Sequence, residues 1–187
     1  MAKKEINLND VIFDSAMLYY TDFDTSNLET AIASLKGHEL GLSDGGVTFS
    51  SEPEIRDIPF AGALERKIKG YQRILKTTGK IEGEILPINA DLLTMSLYKK
   101  DTVTSVTYDK YIPTTGLIAD SYYKDLVLVG TTADETDIII VIRNTYNSAF
   151  NLDTKDKEEG KIKVAFEGCY EKGSDIPPIE IYIPKGE

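Results

Sequence analysis

Residues Gly45–Ile88 read GGVTFSSEPEIRDIPFAGALERKIKGYQRILKTTGKIEGEILPI. The run alternates with period two on both sides of a glycine-bounded basic centre. Side chains of an extended chain point alternately to opposite faces. Over Val47–Ile58, therefore, Val47, Phe49 and Ile55 share one face, and Thr48, Ser50, Glu52, Glu54 and Arg56 share the other. Over Tyr71–Pro87 the apolar face holds Leu75, Ile81 and Ile85, and the polar face holds Lys76, Thr78, Lys80, Glu82 and Glu84. The two segments are expected to form a long antiparallel hairpin, with the connection Ala61–Gly70 (Leu64, Glu65, Arg66, Lys67, Ile68 and Lys69 at its centre) reaching outward. Paired in this way they offer one continuous hydrophilic face.

The same period recurs on either side. Strands are expected at Ser15–Tyr20, Ser105–Ile112, Tyr122–Val129, Thr136–Asn144 and Lys161–Tyr170. A last one, Glu180–Ile183, is fenced by Pro177, Pro178 and Pro184 and so suits an edge. One helix is expected over Ala90–Tyr98, capped by Asn89, with Asp91 in its first turn, Leu92, Leu93 and Leu97 on its apolar face, and Lys99 and Lys100 at its end. A helical turn over Leu28–Leu35 is marginal. Strands, one helix, then strands predict a mainly β fold: a β-sandwich or half-barrel with one packed α-helix and extended loops. The whole chain, 1–187, reads as a single domain. It has an N-terminal arm at about 1–14, a polar loop at about 21–46, the hairpin arm at about 61–70 and a C-terminal extension at about 171–187.

Composition narrows the function. With 41% hydrophobic and 28% charged residues the chain can build a core and a soluble surface. A net charge of −10 disfavours a protein that holds nucleic acid by its phosphates. The single Cys169 makes no internal disulfide, no apolar run is long enough to span a bilayer, and Met1–Asp10 lacks a signal peptide's apolar segment. Synthesis in a cytosol, without export or membrane insertion, is the expectation.

Catalytic patterns are wanting. His38 has no predictable partner, and Cys169 reads as a small filler on a strand. Asp22–Glu29 lacks the glycine and the spacing of a calcium loop, and Gly41–Gly46 lacks the spacing of a phosphate cradle. Acidic pairs such as Glu52 and Glu54 resemble a glycosidase dyad, but carboxylates two apart on a strand are common on wet faces. No enzyme activity, catalytic residue, metal or cofactor is expected.

The run from Gly45 to Leu97, with its glycine-led VTF strand, its EPEIR stretch and its KGYQRILK strand, resembles the central segment of phage major tail tube proteins of long, flexible, non-contractile tails. DSAMLYY (Asp14–Tyr20) and KVAFEGCYEKGSDIPPIEIYIP (Lys163–Pro184) fit that pattern more loosely. The resemblance implies a tail-tube fold and hexameric rings stacked into a tube, each subunit giving four strands to an inner barrel. Thr48, Ser50, Glu52, Glu54, Arg56, Lys76, Thr78, Lys80, Glu82 and Glu84 would then face the lumen through which DNA leaves without specific binding. Leu64, Glu65, Arg66, Lys67, Ile68 and Lys69 would form a ring-stacking arm. Implied partners are other copies, a tape-measure protein, and the tail-tip and tail-terminator proteins. The virion is the implied location, after synthesis in a bacterial host's cytoplasm. The residues leave an alternative of another class open: a monomeric β-sandwich module binding carbohydrate or a cell surface through some of its eleven tyrosines.

Overall fold

The protein is described by a computed structural model, covering residues 15–41, 43–59, 66–86, 88–103, 105–132, 136–154, 156 and 160–185. It is mainly β. In chain order the elements are β1 (Ser15–Thr21), α1 (Leu28–Ala33), β2 (Glu39–Gly41), β3 (Ser43–Asp57), β4 (Gln72–Ile85), α2 (Ala90–Met95), β5 (Tyr98–Asp101), β6 (Lys110–Pro113), β7 (Lys124–Thr131), β8 (Asp137–Asp153), β9 (Lys161–Gly168) and β10 (Ile179–Tyr182). A 3₁₀ turn, Asp120–Tyr122, precedes β7.

Eight of the strands form one antiparallel sheet in the order β2-β1-β7-β8-β9-β4-β3, with β10 added alongside β8. β2 and β3 lie at opposite ends of that order, yet residue 42 alone separates them in the chain. Such a short link cannot cross an open sheet of this width, because one residue reaches only about 3.5 Å. The sheet must therefore be rolled until its two ends meet, and β1 does lie against β3.

The roll encloses the main core. Ile81 and Ile85 of β4, Ile162 and Phe166 of β9, Leu126 of β7 and Ile142 of β8 are at most 1% exposed. Burying each contributes about 1.5–3 kcal/mol. Leu92 and Met95 of α2 plug this interior, and Val47 and Phe49 of β3 pack against it. Asn89 caps α2, its Oδ1 accepting the Leu92 N–H at 2.7 Å. The expected helix is shorter than its sequence pattern: Leu97 takes φ +62, the chain turns, and Lys99 and Lys100 fall on β5 instead of the helix terminus. Met95, not Leu93 or Leu97, completes its buried face.

The marginal helical turn expected over Leu28–Leu35 forms as a second short helix, Leu28–Ala33. α1, capped by Asn27, covers the outer face of the roll, where Ala31 and Leu35 pack with Phe23, Val127, Ile139 and Val141. Ser105–Tyr108 is not strand; only Lys110–Pro113 pairs, with β5. β8 runs past the expected end at Asn144 to Asp153. It bends there through Asn144 (φ +51) and a bulge between Asn147 and Ala149. Asn147, 3% exposed, repairs the bulge: its Oδ1 accepts from the Ala165 N–H at 2.9 Å and its Nδ2 donates to Ser96 at 2.8 Å.

Candidate assembly surfaces

The bend divides β8 into two working halves. Its first half pairs with β7 on one side and β10 on the other; its second half, Thr145–Asp153, pairs with β9. β3, β4, β9 and the second half of β8 thus make a four-stranded sheet whose inner side is the core and whose outer side is polar. The predicted polar residues of β3 and β4 come together across that outer side. Thr48 stands opposite Glu82, Ser50 opposite Lys80, Glu52 opposite Thr78 and Glu54 opposite Lys76. β9 continues each rung, with Lys163 beside Glu84, Ala165 beside Glu82 and Glu167 beside Lys80. β8 completes the face with Ala149, Asn151 and Asp153.

Sequence reasoning expects a strand at Lys161–Tyr170 but assigns neither it nor the second half of β8, which double this face, to the polar surface. The signal was present in KIKVAFEG, where Ile162, Val164 and Phe166 alternate with Lys163, Ala165 and Glu167. The face carries both signs in ladders: Lys76–Glu54 at 3.4 Å, Lys80–Glu167 at 3.9 Å, Lys161–Glu84 at 3.7 Å and Lys163–Asp153 at 2.7 Å. The Asp153 hydrogen bond holds the Lys163 ammonium above its usual range. Exposed pairs of this kind contribute little to stability individually. Collectively they leave the face nearly balanced, so the chain's net negative charge lies elsewhere. Gly46, Thr48, Gly83, Ala149 and Ala165 form a shallow dish of about 540 Å³ in its middle.

Beyond Thr77 the β3–β4 pair leaves the body. Tyr170 roots it: its hydroxyl accepts from the Thr77 N–H at 2.7 Å. Past that point every described residue of Ser51–Pro59 and Tyr71–Lys76 is exposed. Ile55 and Ile74, which the pairing sets opposite each other, are 56% and 61% exposed, and Leu75, at the adjoining bulge, is 50% exposed. The period-two reading had put Ile55 and Leu75 on the core face; the core ends before the strands do. Arg56 stands opposite Arg73, a rung of like charge that costs stability unless an anion answers it. Of the predicted arm, Leu64 and Glu65 lie outside the described residues. Arg66, Lys67 and Lys69 are exposed, and Ile68 is half-buried at the turn closed by the Tyr71 N–H to its carbonyl, 3.1 Å.

Two strand edges in this sheet pair with nothing among the described residues. One is the outer edge of β3; the other is the side of β8 that β7 leaves uncovered after Thr145. Because β3, β4, β9 and β8 alternate in direction, those two edges run antiparallel to each other.

At the other end of the sheet, Arg143 ties four segments together. Its Nη1 donates to Asp125 Oδ2 at 2.6 Å and to the Phe23 carbonyl, its Nη2 to Thr25 at 3.1 Å, and its Nε and Nη2 to Glu180 at 2.9 and 3.0 Å. Burial pushes the Glu180 carboxyl up, but hydrogen bonds from Arg143 and Tyr182 outweigh it and hold the group below its usual range. This cluster fixes β10 on the sheet. Nothing in the sequence pattern announced it.

The catalytic candidates stay apart. His38 is exposed, Glu52 and Glu54 lie on the open strand, and half-buried Cys169 has its thiol pushed up by burial and by Glu167. Among the described residues no group of His, Cys, Asp or Glu is arranged to hold a metal, and no helix is long and apolar enough to cross a membrane.

No family model matches the sequence, and no curated protein matches it. Among solved structures, the chain is similar to one in a structure described as the virion of a native gene transfer agent particle. The likeness covers 70% of this chain and 82% of that one, with 10% identity and a TM-score of 0.41. A likeness that slight carries no argument about fold or function.

Proposed function

We propose that the chain is the structural subunit of a phage-type tail tube: hexameric rings, stacked, form the conduit through which DNA is ejected. The observation that supports this most is the four-stranded polar sheet with an unpaired edge on each side. A sheet with two open edges either aggregates or is completed by neighbours. Edges that run antiparallel allow each copy's β3 to join the next copy's β8 in a heterologous contact that closes into a ring.

The dimensions suit the task. Six copies of four strands at about 4.8 Å spacing give a perimeter of about 115 Å. The backbone diameter is then about 37 Å for upright strands, and nearer 50 Å at a 40° tilt. The polar face lines such a barrel, and its balanced charge ladders offer passing phosphates neither a sink nor a wall. The β3–β4 ribbon with Arg66, Lys67 and Lys69 projects beyond the barrel, placed to meet the next ring. A tape-measure protein inside the tube, and tail-tip and terminator proteins at its ends, complete the assembly. No bond is made or broken; the work is geometric.

Negative-stain electron microscopy on the purified chain at rising concentration, beside light scattering on a sizing column, tests this. Six-membered rings or hollow tubes are the expected result. A protein that stays monomeric at every concentration, with or without a tail-tip initiator complex, refutes it.

A further inference from the structure

We infer that the groove between the β5–β6 hairpin and the second half of β8 receives the outer edge of β3 from a second copy of this chain. The inference rests on the tube reading above and names the surface that makes its lateral seam specific.

The groove encloses about 610 Å³ and is walled by Leu97, Tyr98, Pro113, Ile118, Tyr146 and Phe150, none of them charged. It is a built feature. The positive φ of Leu97 ends α2 and throws the chain out into β5, and Thr114 closes the hairpin's base by donating from its N–H and its hydroxyl to the Leu97 carbonyl at 2.8 and 2.9 Å. Tyr98 then packs on Phe150 with ring centroids 5.9 Å apart. The groove opens along Tyr146–Phe150, the stretch of β8 whose outer edge pairs with nothing among the described residues. A strand-accepting edge with an apolar shelf on one side is the chemistry that recognises an extended segment uncharged on one face.

β3 has that chemistry. Ser51, Pro53 and Ile55 are uncharged and exposed, whereas Glu52, Glu54 and Arg56 alternate with them. Added antiparallel to β8, β3 turns its uncharged residues to the groove and its charged residues to the polar face. Both faces match in the one orientation that the strand directions allow. Net charge favours a copy of this chain as the partner. Residues 52–76, the ribbon, hold six basic side chains (Arg56, Arg66, Lys67, Lys69, Arg73, Lys76) against four acidic ones (Glu52, Glu54, Asp57, Glu65). With −10 overall, the rest of the chain carries −12, so the ribbon that extends β3 is drawn to other copies' bodies.

The test places benzoylphenylalanine at position 118 of the full chain and mixes isotopically light and heavy copies under assembly conditions before irradiation. Mixed-isotope crosslinks to residues 49–58 are expected. In parallel, Ile118→Asp is expected to raise the concentration needed for association at least tenfold while circular dichroism and Tm of the monomer stay unchanged. Rings whose crosslinks map elsewhere, or an Ile118→Asp protein that forms rings at the wild-type concentration, overturn the inference and leave the tube reading standing. Crosslinks to residues 49–58 without rings or tubes support the inference and count against the tube. Absence of any inter-copy crosslink and of any assembly removes both.

Discussion

Replacing Arg143 by Met isolates the largest polar commitment in the fold. The guanidinium side chain is 21% exposed, and its carboxylate partners Asp125 and Glu180 are 14% and 34% exposed. Methionine keeps much of the stem's packing but leaves two partly buried carboxylates without their counter-ion, Asp125 with only the Phe23 and Asn144 N–H groups and Glu180 with only the Tyr182 hydroxyl. It also takes a donor from the Phe23 carbonyl and the Thr25 hydroxyl. Breaking a fully buried pair by removing one partner costs about 3–5 kcal/mol. Discounted for solvent at Glu180, the expected loss is about 2–3 kcal/mol. In a domain of this size that is a fall in Tm of about 4–12 °C. Urea unfolding at pH 7 reads it as a lower midpoint with an unchanged slope. The pH dependence adds a second reading. Glu180 is held below its usual range in the folded protein, so its stabilisation is present above the unfolded carboxyl's value and is lost as pH falls through the folded one. The gap between wild type and Arg143→Met should therefore narrow on acidification. A loss under about 1 kcal/mol at pH 7, or a gap constant into acid, would refute the account of Arg143 as the clamp on β10.

Gly168→Ala should cost about 1–3 kcal/mol in urea unfolding, because a Cβ there would stand 2.4 Å from Ile142 Cγ2 and 3.3 Å from both the Arg143 carbonyl oxygen and Pro178 Cγ. Unchanged stability would mean that β8 and β9 can part at the bend. Asn147→Ala should cost about 1–2 kcal/mol by stranding the Ala165 N–H, while the Ser96 hydroxyl loses Asn147 as a donor but still donates to the Leu92 carbonyl. Hydrogen exchange at Ala165 should speed up with it, and an exchange rate equal to wild type would show that the bulge repairs itself another way.

The strands of the main sheet were legible wherever one face meets the core and the other meets water, as at Phe49/Ser50 and Ile81/Glu82. That condition fails in three places. On the ribbon both faces are wet, so the alternation of Ile55 and Leu75 imitates a core position that the body does not extend far enough to supply. At Asn144–Asn147 polar residues imitate a strand's end, whereas side chains there replace the ladder bonds that a bend interrupts: Asp125 accepts from the Asn144 N–H, and Asn147 accepts from the Ala149 and Ala165 N–H groups. At Lys99 and Lys100 two cations fit a helix terminus as well as a strand, and only the backbone turn at Leu97 decides between them. As for the candidate surface, the charged residues of β3 and β4 were readable, but its width was not. The pairing of β4 with β9 joins segments about eighty residues apart, which no local pattern encodes. The groove beside β8 was hidden for the same reason.

The one-residue link between β2 and β3 has a consequence in time. β3 and β4 are neighbours in sequence and can pair as soon as both have been synthesised, but β1 waits for β7, about a hundred residues downstream. At about 5–20 residues per second a ribosome needs roughly 5–20 s to supply it. Until then β2 can pair only with β1, and the roll stands open with its apolar interior uncovered. The nascent chain thus carries a sticky hairpin before it carries a body, and its hours of greatest risk are its first seconds. Mixed charge along Glu52–Arg56 and Lys76–Glu84 serves that interval as well as the finished surface, because it makes one face of the waiting hairpin a poor template for its own kind.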